Sequence, residues 1–475
     1  MKIRNIIPLF IAVVVTTFAT SCNDFLDRMP EAQRSPESIF TSEESANAAV
    51  NGMYRSMMNS FSYGQAILMI PEFSANHLGH VSSFPEFENF ATHGIIDPDG
   101  GAQQPLPPSN IWLANMWQVT YQTINAANGI IAMVPQMDAS VINDERKNQF
   151  EGEARFIRAM HYFFLARAFG NVPLELTPSG EQNDEFAPQA NTEELYVQII
   201  DDLTRAVEIL PLSAGSGLAE KGRANRWAAK ALLAKVHLYH ATQFTNDFTE
   251  AVRLSEDVIQ NGSYSLVSNY INIWQAENTT ESIFELQFDE QATNPWANEI
   301  GDNDGNRTFA RDNFVANLYD SLDTRKAATV RLGTRAGLTD RWYIAKYPNL
   351  VPATQNFPLI RLAEVYLIHA EAKARVDNSV SDASYQSLAA VQTRAGVLEP
   401  ISAYTSLEAY IVAIQEEKEK ELMFEGETWF DYCRTGLALT KYSTLTDEQY
   451  FIYPIPAAQF QVDPTLVQNP GYSQN

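Results

Sequence analysis

The chain has 475 residues, 45% hydrophobic and 11% aromatic, enough apolar material for a substantial core spread over several domains or one large repeat array. Its net charge of −25 would repel phosphates, which argues against nucleic acid as a partner and against a basic membrane-binding patch. Only Cys22 and Cys433 are cysteines, so there is no disulfide framework and the core must supply the stability.

The chain opens with Lys2 and Arg4, an apolar run from Ile6 to Phe18, the small residues Ala19-Thr20-Ser21, and then Cys22. This is the layout of a secretory signal, and the apolar run is shorter than the roughly 20 residues a bilayer requires. A cysteine directly after the small residues leads us to expect a lipoprotein signal over residues 1–21. Cleavage before Cys22 and acylation of its sulfur and new amino group would follow. Two or three acyl chains anchor stably where one is marginal. The remainder, 22–475, reads as a tethered body outside the membrane.

Thr41-Ser42-Glu43-Glu44 is a capping-box pattern, followed at helical spacing by Ala46, Ala49, Val50, Met53, Tyr54 and Met57. Gly and Pro from Gly64 to Pro108 then rule out a long helix, with Phe61, Tyr63, Phe73, Phe84, Phe87, Phe90 and Trp112 scattered among them. Residues 60–112 therefore read as a loop-rich, aromatic-rich insertion, the kind that usually carries function. Helical periodicity resumes at about Ala114. Further helices are expected over Asn148–Phe169, Thr192–Leu210, Ala224–Ala241 and Asp247–Gln260. Residues 263–345 lose the periodicity again, with short strands expected at Ser282–Phe288 and Trp342–Tyr347 and a polar loop around Trp296. The pattern predicts a sixth helix from Pro358 to about Val376 and a seventh over 382–393. An eighth opens on the capping box Thr405-x-x-Glu408 and runs to Gly426.

Helices thus come in pairs within about 41–58, 114–261 and 358–426, with alanines where they must approach. Several pairs look like tetratricopeptide units. The expected fold is mainly α: a tetratricopeptide-like helical-hairpin scaffold carrying long loop-rich insertions and a few short strands.

Five blocks resemble the SusD/RagB family of outer-membrane lipoproteins. They are Cys22-Asn23-Asp24-Phe25-Leu26-Asp27; Glu153-Ala154-Arg155-Phe156-Ile157-Arg158-Ala159 with Phe169-Gly170-Asn171-Val172-Pro173; Arg226-Trp227-Ala228-Ala229-Lys230-Ala231; Pro358-Leu359-Ile360-Arg361-Leu362-Ala363-Glu364; and Glu421-Leu422-Met423-Phe424-Glu425-Gly426 with Trp429-Phe430-Asp431. The resemblance implies a lipid-anchored protein at the cell outer membrane, facing the exterior. It implies a partner, a TonB-dependent SusC-like transporter, for which the protein holds a glycan or, in some members, a peptide. It implies no catalysis and no cofactor beyond the covalent lipid on Cys22.

The motif residues read as structural. Arg361 and Glu364 in an apolar helix suggest buried ion pairs, and Trp429-Phe430 suggests core. A sugar packs its C–H face on an aromatic ring while its hydroxyls need amides or charges nearby. Trp296, flanked by Asn294, Asn298, Asp302, Asn303 and Asn306, is the leading stacking candidate. Trp112, Phe84 and Phe87 follow, and then Trp342. His77-x-x-His80 with His93 is too loose for a metal triad, and His237 with His240 lacks further ligands. Asp302-Asn303-Asp304-Gly305-Asn306 resembles half a calcium loop and could hold an incidental ion. No hydrolase, Walker or dinucleotide motif is present. Three rivals stay open: a peptide-binding member of the same family, a glycoside hydrolase using an unrecognised carboxylate pair, and a scaffold that binds only proteins.

Overall fold

The computed structural model describes residues 39–81, 83–94, 105–179, 186–215, 218–300, 307–311, 315, 317–335, 338–347 and 351–474. The expected signal, Cys22 and the Asp302–Asn306 loop lie outside the described residues.

In chain order the principal elements are α1 (Glu43–Met57), α2 (Ala66–Ser74), β1 (Leu78–His80), α3 (Ile111–Met133), α4 (Asp144–Phe169), β2 (Val172–Pro173), β3 (Gln189–Ala190), α5 (Thr192–Ile209), α6 (Arg226–His240) and α7 (Thr249–Asn261). Then come β4 (Ser282–Leu286), β5 (Thr308–Ala310), β6 (Val330–Arg335), β7 (Leu338–Ile344), β8 (Phe357–Arg361), α8 (Leu362–Asp377), α9 (Asp382–Ala395), α10 (Leu407–Leu422) and α11 (Thr428–Arg434). The fold is mainly α, with two-stranded antiparallel pairings β1–β5, β2–β3, β4–β8 and β6–β7 among the described residues.

Neighbours in sequence pack as neighbours in space. Helix α3 lies on α4, α4 on α5, α5 on α6 and α6 on α7, as in a helical-hairpin array. Helix α7 then packs on α8, which follows it only after the whole second insertion, and α8 packs on α9 and α10. The insertion leaves the array and returns without disturbing the stack. It comes back through β8, which pairs with β4; Leu362 N–H donates to Glu281 O at 2.9 Å as the strand turns into α8.

Position in the array explains the burial patterns. Helix α7 buries the single stripe Ala251, Leu254, Ser255 and Val258. Helix α4 contacts α1, α3, α5 and α6 and is buried on nearly every face from Gln149 onward. Asn143 caps it by accepting from Arg146 N, and Gly170, with φ +69°, ends it.

Both expected capping boxes sit one residue off. Ser42, not Thr41, caps α1 by accepting from Ser45 N, and Ser406, not Thr405, caps α10 by accepting from Ala409 N. The sixth helix starts at Leu362 rather than Pro358, because Phe357–Arg361 is spent on pairing with β4. Helix α3 begins before Ala114, so Trp112 lies in its first turn, where Asn110 accepts from Trp112 N.

The motif blocks meet in a buried ionic hub at the C-terminal end of α10. Glu421 accepts from Arg325, Arg361 and Arg394. Arg361 also reaches Glu425 at 2.8 Å and Glu281 at 3.2 Å, and Lys346 reaches Glu425 at 2.6 Å. Burial alone would raise the Glu421 carboxyl; the three guanidiniums outweigh it and hold the group well below the usual range. Glu364 pairs with Lys235 at 2.6 Å. Gly426 has φ +83° and lies so close to α2 that a Cβ there would stand 2.8 Å from Leu68 Cα. Its N–H donates to Glu72 at 2.7 Å, and Glu72 in turn binds His77.

Candidate functional site

The first insertion folds into an aromatic patch where α2, β1, a 3₁₀ turn at Pro85–Phe87 and the start of α3 converge. Phe87 is fully buried at its base. It stacks on Phe73 with centroids 4.7 Å apart and planes at 10°, and meets Trp112 at 5.2 Å. Phe84 and Phe61 are only half-buried. Phe84 lies 6.2 Å from Phe87, and Phe61 lies 5.4 Å from Trp112.

Arg307 crosses from the second insertion to this patch. Its guanidinium carbon sits 5.0 Å from the Phe84 centroid and 5.8 Å from those of Phe87 and Trp112. The β1–β5 pairing brings it there, and Val81 N–H donates to Arg307 O at 2.9 Å. Glu299 holds the guanidinium through Nε at 3.0 Å, and Gln65 donates to the same carboxylate at 3.4 Å. Beside the rings, His80 pairs with Glu88 at 2.8 Å. The result is a half-exposed phenyl ring next to a fixed guanidinium–carboxylate pair, with an apolar surface and hydrogen-bonding groups side by side.

Of the sequence candidates, Phe84, Phe87 and Trp112 meet in this patch, with Phe84 carrying the accessible surface. Trp112, 6% exposed, and Phe87 are its floor rather than stacking faces. Trp296 requires a correction. It is 0% exposed, packs 6.2 Å from Tyr347, and donates its indole N–H to Phe424 O at 3.3 Å. No ring face is left for a sugar. Asn294 is likewise interior, donating to Gln355 O at 2.8 Å and accepting from Ala297 N at 3.0 Å as a cap on the short helix Pro295–Ile300. Asn298, on the outer side of that helix, is exposed. Trp342, on β7, is half-buried.

The three histidines of the first insertion go to separate partners. His77 is fully buried between Glu72 at 2.5 Å and Glu419 at 3.1 Å. Burial would lower its pKa, but the flanking carboxylates outweigh this and raise it to about 9. His93 stacks on Trp429, donates through Nε2 to Ser74 O at 2.8 Å and meets Thr444 Oγ1 at Nδ1; burial pushes its pKa down to about 4. Among the described residues no cluster of His, Cys, Asp or Glu is arranged to hold a metal.

Sequence reading missed Phe61, Arg307 and Glu299. Phe61 was visible among the aromatics of the insertion. Arg307 and Glu299 carried no local signal, because only the β1–β5 pairing brings them beside Phe84.

A family model described as starch-binding, associating with the outer membrane, matches residues 24–238, and a SusD family model matches 343–449. A SusD-like protein of Bacteroides ovatus is 29% identical over 289 residues, 59% of this chain and 49% of that one, so the chain spans about half the length of that relative. SusD-like protein P25 of Formosa agariphila is 23% identical over 99% of this chain and 100% of its own. Among solved structures, a laminarin-binding SusD-like protein is 25% identical, with a TM-score of 0.73, covering 91% of this chain and 100% of its own.

Proposed function

The chain belongs to the SusD/RagB family, and from that premise we propose that it captures oligosaccharides or polysaccharides and hands them to a TonB-dependent SusC-like transporter. It performs no chemistry on the glycan. Cys22 carries the lipid that tethers it to the outer membrane, facing the exterior. No helix among the described residues is long and apolar enough to cross a membrane.

The observation that carries this reading is the Phe84–Arg307 patch. A pyranose ring packs its C–H face against Phe84, and its hydroxyls meet Arg307 and Glu299. The laminarin-binding relative and the starch-binding description of the family model support a neutral glycan as the ligand class.

Calorimetric titration of the purified chain with starch, laminarin and other neutral glycans, and with a peptide panel, tests the reading. Saturable glycan binding with no release of reducing ends is expected. Binding of peptides alone would move the protein to the peptide-capturing class, and release of reducing ends would make it a hydrolase.

A further inference from the structure

A second concavity opens elsewhere in the molecule, where the end of α4, the end of α6, α11 and the C-terminal segment meet. It encloses about 570 Å³ and shares no residue with the Phe84–Arg307 patch. That volume lies in the range of small-ligand pockets, roughly 300–1,000 Å³.

Backbone geometry shapes one wall. Helix α6 ends in a π-helical turn, Ala241–Thr245, closed by Asn246 in the left-handed region at φ 54°. Such wide turns recur at functional sites because they re-aim side chains that a regular helix would point elsewhere. This one presents Gln243 and Phe244 to the cavity. Phe244 is 40% exposed, yet its ring is held by Tyr196 at 5.7 Å and His240 at 5.5 Å. It is a fixed aromatic surface rather than a loose side chain.

The opposite wall carries a pre-set acceptor. Asn469 is 5% exposed, and both hydrogens of its amide are committed, to Phe169 O and Tyr453 O at 2.7 Å each. Those two bonds fix which end of the amide is oxygen. Among the described residues no donor reaches its Oδ1. Gly170 lines the same wall. A Cβ there would stand 3.0 Å from Ile452 Cδ1 and 3.9 Å from Asn469 Oδ1, so the glycine keeps that side open as well as ending α4.

The charges of the lining decide the ligand class. Arg434 spends its guanidinium on Glu371, Asp431 and Thr242, and Arg167 donates to Glu427 at 2.7 Å. Neither is left over for an anion. Glu448, exposed at the cavity, has no ion-pair partner among the described residues. A phosphate or carboxylate ligand would meet spent cations and a free carboxylate. A neutral polyol with one apolar face would meet an aromatic ring, an amide acceptor, the Gln243 amide and a carboxylate acceptor.

We propose that this cavity is a second saccharide site, sized for one or two sugar units and distinct from the Phe84–Arg307 patch. The choice of sugar rests on the reading of the protein as a glycan binder; the cavity and its lining do not.

The test titrates the full chain with maltose, cellobiose and laminaribiose by saturation-transfer NMR and calorimetry. Wild type is compared with Gln243→Ala/Phe244→Ala and with Phe84→Ala/Arg307→Ala. Gln243 and Phe244 are exposed, so the first variant is expected to fold normally, and its melting temperature checks this. The expected result is two disaccharide-binding components in wild type: the cavity variant weakens one of them at least tenfold and keeps the other, and the patch variant does the reverse. Cys433, which lines the cavity, supplies a second readout: the disaccharide should slow its modification by methyl methanethiosulfonate in wild type and not in the cavity variant. Disaccharide binding unaffected by the cavity variant overturns the proposal, as does the absence of both binding and protection. Long-glycan binding that persists in that case leaves the patch reading intact, whereas loss of all glycan binding removes both.

Discussion

The ionic hub beneath α10 and the aromatic patch of the first insertion use the same kinds of side chain for opposite ends. In the hub, Arg361 is 1% exposed and every cation faces carboxylates, so the charges are mutually consumed. In the patch, Arg307 pairs with Glu299 but keeps a 30% exposed side chain against a half-buried ring. An arginine whose bonds are all internal specifies the fold. One left partly in solvent beside an aromatic surface remains available to a ligand. The contrast separates motif residues from ligand residues better than residue type does.

The largest effect should come from the hub. Arg361→Ala leaves Glu281, Glu421 and Glu425 buried without their shared cation. Breaking a buried pair costs about 3–5 kcal/mol, and here the upper end is expected, read as a drop in the denaturant midpoint. Any loss of glycan binding should follow unfolding and nothing else. Trp296→Ala should come next, at about 3–4 kcal/mol, because it empties a fully buried site. Unchanged stability in that variant would place Trp296 on the surface and undo the distinction.

A smaller, pH-dependent effect belongs to His77, which links the insertion to the hub. Its folded pKa, about 9, lies above the ordinary histidine value of 6.5. Its contribution is therefore fully present below pH 6.5 and is lost as pH rises through 9. On the order of 3 kcal/mol should disappear across that window, and His77→Gln should flatten the profile. His161 has the opposite sign. Burial lowers its pKa to about 4, so stability should fall as pH drops from 6.5 towards 4.

Smallest in stability should be Phe84→Ala. The ring is half-buried, so the change should stay within about 1 kcal/mol, while glycan affinity falls about tenfold, equivalent to about 1.4 kcal/mol.

The array was legible because helical periodicity reports burial directly. Within the expected Thr192–Leu210 helix, Leu195, Ile199, Leu203 and Ala206 recur at helical spacing and form the buried face of α5. The Arg361 and Glu364 ion pairs were legible for a related reason: a charge inside an apolar run needs a buried partner. Three details were hidden. Adjacent Thr and Ser cap equally well on paper, so α1 and α10 begin one residue later than expected. Strand β8 merges with the apolar run of α8, and only its pairing with distant β4 distinguishes it. Trp296 looked solvent-facing because amides surround it, but Asn294 is a buried cap, and the composition of a loop does not tell a cap from a ligand contact. The candidate site was half legible: its aromatics were visible, whereas Arg307 and Glu299 arrive only through the fold.

The central claim is that Phe84 faces ligand while Trp296 holds the interior. Glycan titration of Phe84→Ala and Trp296→Ala, each paired with its melting curve, tests it most directly. Phe84→Ala should lose affinity at an unchanged melting temperature, and Trp296→Ala should melt lower yet bind like wild type wherever it is folded. Loss of binding in Trp296→Ala at an unchanged melting temperature, with Phe84→Ala binding normally, would contradict the account.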